Sequence, residues 1–373
     1  MVKTRSLSIH VALALLTFAL VGCSARGLLA RVAPESLLLS RDPAAPCLSL
    51  AQLSGTLYAV YADQATTTLN LVEVPVGPHL PSAAPAPRVI DKVDTAAPLS
   101  PSFGEHVLSV AGGAVAVMYL DHETDVKNVL KLASRSSADQ QWNLEILEPT
   151  GDPLALIPGE GGGFAAAWSS GLLSYKLPRQ QATPGVPAIP FQVQGRPSAD
   201  GAGGFTAFDA LTSALLYMKW TGSGFTPRII SGGTPIHASL RTSSGRLLVV
   251  TWDSKTRRIV LHQDTGTGDK FSTATVTLSD GTRQLALLGG SSESSIMVVF
   301  DETHSVGGGR TDYQVSIIAP GSLLGGWAGR YRKAVVTSGG SPIEGLAAAR
   351  TSDALYVLVS QGDVKLYRIP LSH

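Results

Sequence analysis

The stretch from Arg241 to Leu278 does most to limit how this chain folds. It reads RTSSGRLLVVTWDSKTRRIVLHQDTGTGDKFSTATVTL, with apolar or β-branched runs at Leu247–Trp252, Ile259–His262 and Phe271–Leu278. Each run is short and bounded by Gly, Asp, Ser or Lys, the pattern of strands joined by tight turns. Ile236–Leu240 lies just ahead, so the stretch reads as a four-stranded antiparallel meander. The same unit recurs along nearly the whole chain, which argues for radial repetition of four-stranded sheets, a β-propeller.

Seven units are expected. Blade one takes Cys47–Leu53, Leu57–Tyr61, Leu69–Val74 and Arg88–Val93, with a proline-rich surface loop at 77–87. Blade two takes His106–Ala111, Ala114–Leu120, Val129–Ala133 and Trp142–Leu147; blade three Leu154–Pro158, Phe164–Trp168, Leu172–Leu177 and Ile189–Val193, with a second proline-rich loop at 178–188. Blade four takes Pro197–Ala199, Phe205–Phe208, Leu215–Trp220 and Phe225–Ile230, and blade five is the opening unit. Blade six takes Gln284–Leu288, Ile296–Phe300, Tyr313–Ile318 and Tyr331–Val336, interrupted by a glycine-bearing insertion from Ser305 to Thr311. Blade seven has only Ile343–Ala349, Leu355–Ser360 and Val364–Ile369. An open edge there invites aggregation, so the spare apolar run Ser36–Ser40 is predicted to pair beside Val364–Ile369 and close the ring.

The second strand of each unit ends alike: Tyr61-Ala62-Asp63, Tyr119-Leu120-Asp121, Trp168-Ser169, Phe208-Asp209, Trp252-Asp253, Phe300-Asp301 and Ser360-Gln361. The aromatic is expected to pack between blades, and the Asp to accept backbone N–H groups in the turn. Cys47, in the run CLSLAQL, reads as a buried apolar filler. With 39 Gly, 23 Pro and only 15% charged residues, the composition suits short strands and tight turns.

The amino end carries a separate message. Lys3 and Arg5 precede a ten-residue apolar core, Val11–Leu20, too short to span a bilayer, and Leu20-Val21-Gly22-Cys23 follows. L-V-G-C resembles the bacterial lipobox, which implies cleavage before Cys23 and acylation of its thiol and new amino group. More than one acyl chain gives durable membrane anchoring. Ser24 resembles the outer-membrane sorting pattern. The expected organisation is a signal peptide at 1–22, a lipidated tether and closing strand at 23–46, and the propeller at 47–373. Removing Lys3 and Arg5 leaves 27 basic against 28 acidic residues, which gives no electrostatic footprint for nucleic acid.

The segments FDALTSALLYMKWTGSGFTPRII (208–230) and YLDHETDVKNVLKLASRSSADQQWNLEIL (119–147) resemble degenerate blades of sialidase-like (BNR-like) propellers. The resemblance implies the fold over Cys47–Ile369 and carries no catalytic role. The S-x-D-x-G-x-T-W box of that family is absent, Ser137-Ala138-Asp139 reaches Trp142 too early, and Ser279-Asp280-Gly281-Thr282 lacks the aromatic.

Motifs for metal, nucleotide or acyl-transfer chemistry are missing, and no cofactor or metal is expected. Gly161–Gly163 and Gly307–Gly309 read as turns rather than phosphate loops, and Trp168, Trp220 and Trp252 as packing residues. One constellation remains. If the first strand of each blade lines the central channel, polar residues near its start, Glu105-His106, Arg196, His237, Arg283-Gln284 and Glu344, collect near one mouth. The candidate ligand ring is His106, Arg196, His237, Arg283 and Glu344, with Arg196 and Arg283 together holding an anion. The expected function is a lipid-anchored envelope module that binds a protein or a glycan. The alternative is a glycan-active, glycosidase-like enzyme using Glu105 or Glu344 at the same pocket.

Overall fold

The computed structural model describes residues 33–371, except 42, 64, 93–105, 124–126, 137–138, 140, 149–150, 159–162, 177–189, 233, 266–270, 278–280, 283, 290–295, 307–309 and 321–330. Every regular element among the described residues is a strand, and the strands form seven four-stranded antiparallel sheets. The first strand of the chain, β1 (Glu35–Ser40), stands apart from the sheet that follows it. Blade one is β2 (Pro43–Leu53), β3 (Thr56–Asp63), β4 (Thr68–Pro75) and β5 (Arg88–Lys92); blade two is β6 (His106–Ala111), β7 (Ala114–Glu123), β8 (Lys127–Ser136) and β9 (Asn143–Glu148). Blade three is β10 (Asp152–Pro158), β11 (Phe164–Ser169), β12 (Gly171–Lys176) and β13 (Pro190–Phe191); blade four is β14 (Val193–Ala199), β15 (Gly204–Asp209), β16 (Ala214–Trp220) and β17 (Phe225–Gly232). Blade five is β18 (His237–Arg241), β19 (Leu247–Asp253), β20 (Arg258–Asp264) and β21 (Phe271–Thr277); blade six is β22 (Leu285–Leu288), β23 (Met297–Val306), β24 (Arg310–Pro320) and β25 (Tyr331–Gly339). Blade seven is β26 (Gly345–Arg350), β27 (Ala354–Ser360) and β28 (Val364–Pro370), with β1 as its outer strand.

The ring closes twice over. Innermost strands touch in the cycle β2, β6, β10, β14, β18, β22, β26 and back to β2. Each of the seven blade junctions also holds its own apolar cluster. Second strands such as FAAAWS and ALYVLVS are buried along their whole length because both faces meet a neighbouring blade. This is why they read as continuous apolar runs rather than alternating ones.

β1 pairs antiparallel with β28, Leu37 opposite Leu366. Side chains then tie it to blade one: Ser40 Oγ donates to Asp63 at 2.7 Å and Tyr61 donates to the Leu39 carbonyl at 3.2 Å. Burial pushes the Tyr61 phenol up to about 12, so it stays a donor at neutral pH.

The proline-rich loop 77–87 lies on the surface as expected, with Leu80 and Ala84 packed against the cluster between blades seven and one. It is pinned by Glu35, which accepts from Leu80 N–H at 2.8 Å and lies 2.8 Å from His79 Nδ1, and by Arg368, which donates to the Gly77 carbonyl at 3.1 Å. The insertion in blade six is a lengthened hairpin, with β23 and β24 pairing out to Val306 opposite Arg310. Blade three's outer strand shrinks to Pro190–Phe191, and Val193 instead begins blade four opposite Asp209.

Candidate functional site

An axial cavity of about 530 Å³ is lined by the innermost strands of six blades, or the residues just before them. Blade three's β10 is missing from that lining, and an irregularity in the neighbouring β14 supplies the most prominent polar group. Gln194 pairs with Phe208 and Ser198 with Thr206, so Gly195, Arg196 and Pro197 together face the single residue Ala207. A bulge of this kind bends the strand and re-aims its side chains. Gly195 permits it, with φ +77° and a Cβ position that would lie 2.4 Å from the Pro235 carbonyl oxygen.

The bulge sends Arg196 from blade four to blade one. Its guanidinium Nη2 donates to the Leu48 carbonyl and lies 3.4 Å from Ser49 Oγ. Arg196 forms no ion pair with a described residue. The described lining contains no Asp, Glu, Phe, Tyr or Trp; its polar members are serines, glutamines, two histidines and this arginine. Ser198 and Ser239 are already engaged with one another's strands: Ser239 N–H donates to Ser198 Oγ at 2.9 Å and Ser239 Oγ to the Ser198 carbonyl at 2.7 Å.

The five residues expected to form one ring are placed differently. His106, Arg196 and His237 border the cavity. His106 is buried in β6, opposite Tyr119. His237 is buried too, with Nδ1 3.1 Å from the Pro235 carbonyl and Nε2 3.2 Å from the Thr206 carbonyl. Burial depresses its pKa while the two carbonyls work in the opposite direction, and the contact to Thr206 ties blade five to blade four. Glu344 is exposed and lies outside the cavity lining; its carbonyl accepts from Gln284 Nε2 at 2.8 Å. Arg283 and Glu105 lie outside the described residues.

The repeated turn carboxylates are structural, as their spacing implies. Asp209 accepts from the N–H groups of Gln192, Leu211 and Thr212 and from the Thr212 hydroxyl. Asp253 does the same for Lys255 and Thr256. Asp301 departs from the expectation: it lies within β23 rather than at a turn, and it accepts from Gln284 N–H at 2.7 Å, at the start of a cavity-lining strand. Trp168 and Trp252 are buried between blades, and Trp220 stacks edge-on against Tyr175. Cys47 is a buried thiol in β2.

Sequence reasoning missed two features. One is the bulge, whose signal was a Gly and a Pro flanking Arg196 inside the strand-like segment VQGRPSA. The other is Asp200, buried at the β14–β15 turn, where it caps Ala202, Gly203 and Gly204 N–H and accepts from Tyr217 and Arg241.

No protein-family description matches this sequence, and no curated protein matches it. Solved structures do share its shape. YCF48 bound to a D1 peptide is 13% identical, with a TM-score of 0.55, 92% of this chain and 97% of that one covered. A PL25 ulvan lyase bound to -[GlcA(1-4)Rha3S]- is 10% identical, with a TM-score of 0.53 and coverage of 93% and 95%. A streptogramin B lyase is 10% identical, with a TM-score of 0.52 and coverage of 90% and 97%. At such identities the likeness is one of fold, a distant multi-bladed propeller.

Proposed function

We propose that this chain is a lipid-anchored module of the bacterial envelope, held at the outer membrane through Cys23, that binds a protein or glycan partner and does not turn it over. The observation that carries the binding reading is Arg196, a cation delivered into the axial cavity by a bulge and facing no carboxylate among the described lining residues. Hydrolysis of a glycosidic bond ordinarily takes two carboxyl groups flanking it. The described lining supplies none, and Glu344 is outside it. Anchoring rests on the charged start, the short apolar core and L-V-G-C at 20–23.

Crosslinking in intact envelopes, followed by purification, tests the binding claim. Replacing Arg196 and Arg283 together by Ala should weaken capture of the partner while the melting transition stays nearly unchanged. Unchanged capture would move the site to the outer faces of the ring. Turnover of a glycan by the purified protein, abolished by replacing Glu105 or Glu344, would overturn the reading in favour of an enzyme. For the anchor, radiolabelled palmitate should label the wild type and not Cys23→Ala; equal labelling of the two would sink the lipid assignment.

A further inference from the structure

We propose that the axial cavity receives the free carboxyl terminus of a peptide, with the Arg196 guanidinium as the carboxylate's partner. This rests on the binding reading above and names the chemistry of the bound group.

A guanidinium has five N–H donors arranged as a fork that matches the two oxygens of a carboxylate. The contacts Arg196 makes with described residues, to the Leu48 carbonyl and Ser49 hydroxyl, both come from Nη2 and both go to neutral oxygens. No described residue takes its remaining N–H groups, and the described lining of the cavity holds no negative side chain. An incoming carboxylate therefore meets a cation with no acidic competitor among the described lining residues, and exchanging the Leu48 carbonyl for it replaces a neutral hydrogen bond by a charge-assisted one.

The walls decide what the carboxylate is attached to. Leu50, Leu108, Ile236 and Leu285 are partly exposed around the cavity, and the described lining contains no Phe, Tyr or Trp. A uronic acid carries a hydroxyl on nearly every carbon, which would require a dense set of polar partners. The wall serines at 198 and 239 are already spent on one another's strands. Aliphatic walls with a few neutral amides suit the last residues of a peptide instead: small apolar side chains against leucine, and backbone groups toward the Gln194 amide and the side-chain oxygen of Gln284, whose nitrogen is held by the Glu344 carbonyl. A cavity of about 530 Å³ accommodates a chain end rather than a folded surface.

The test uses the mature protein and three probes: a randomised fluorescent tetrapeptide library with free carboxyl termini, the same library amidated, and a glucuronate-terminated oligosaccharide. The free-acid peptides should be retained about tenfold more strongly than the amides. Retention should fall with added salt and be lost in Arg196→Gln. Arg196→Lys, which keeps the charge but not the fork, should recover part of it, and thermal melting of both variants separates lost binding from lost folding. Equal retention of acid and amide overturns the proposal. Retention of the oligosaccharide in place of the peptides also overturns it, while leaving the binding reading intact. If no probe is retained yet envelope crosslinking still depends on Arg196, the chain-end assignment fails and the site's role in binding survives.

Discussion

Gly195 shows how one residue without a side chain sets the position of another. Gly55 has the same φ of +77° but nothing within 4 Å of where a Cβ would lie, whereas at Gly195 the Pro235 carbonyl is 2.4 Å away. Gly55→Ala should therefore report left-handed strain alone, about 1–2 kcal/mol. Gly195→Ala adds a clash with backbone and should cost roughly 1–3 kcal/mol more, measured by urea unfolding. Equal costs at the two sites would mean that the bulge gives way easily. Asp209 offers a second residue-scale test. Burial raises its pKa, but hydrogen bonds from Thr212, Gln192 and Leu211 outweigh that, and the net shift is downward. A carboxylate held low stabilises the fold above its unfolded pKa, near 3.9, and that stabilisation disappears as pH falls through the folded value. Asp209→Asn should thus melt below wild type at pH 7, by about 1–3 kcal/mol, with the gap closing on acidification. A gap that widens in acid would contradict the assignment.

At the scale of elements, β1 is the most exacting case. The three leucines of ESLLLS are not equivalent: Leu37 is 4% exposed and Leu38 36%, with Leu39 between them. An outer strand covers only one of its faces, and Leu37 and Leu39 share the covered one. Leu37→Ala should cost about 2–5 kcal/mol, and Leu38→Ala should stay within about 0.5 kcal/mol. The loop 77–87 depends on the same strand through Glu35. Hydrogen bonds from Leu80 and His79 hold that carboxyl below its usual range. Glu35→Ala should accordingly speed proteolytic nicking within 77–87 at neutral pH, and in wild type the loop should become comparably sensitive once Glu35 is protonated in acid. An unchanged nicking rate in the variant would show that the apolar contacts of Leu80 and Ala84 suffice.

Across the whole molecule, the blade count, the strand order and the closing strand were legible because they follow from local pattern. Second strands such as LLVVTWD announce themselves by burial on both faces, and the pairs Phe208-Asp209 and Trp252-Asp253 mark the turns that follow them. The axial site was legible only in part. That His237 would turn both ring nitrogens to carbonyls, and that Arg196 would cross to blade one, depends on register and on a bulge set by pairing between distant segments. A one-residue change of register reverses a strand's faces, and no local rule supplies it. Deleting residues 34–41 removes Leu37 and the whole β1–β28 ladder, and should lower stability by several kcal/mol, Leu37 alone accounting for about 2. Because every blade contributes to the buried clusters at both of its junctions, the loss should appear as one shifted transition. A separate early transition confined to blade seven would show that the blades unfold independently.

The pairing of β1 with β28 also orders events in time. β1 leaves the ribosome before any blade exists, and its partner emerges only after the other strands of the ring have been made. Each sheet up to blade six can form from strands adjacent in sequence, but the final one must wait for a contact between distant parts of the chain, the slow kind of step in folding. Until then the chain carries an unpaired strand edge, so the interval before closure is when edge-to-edge association is most open to it.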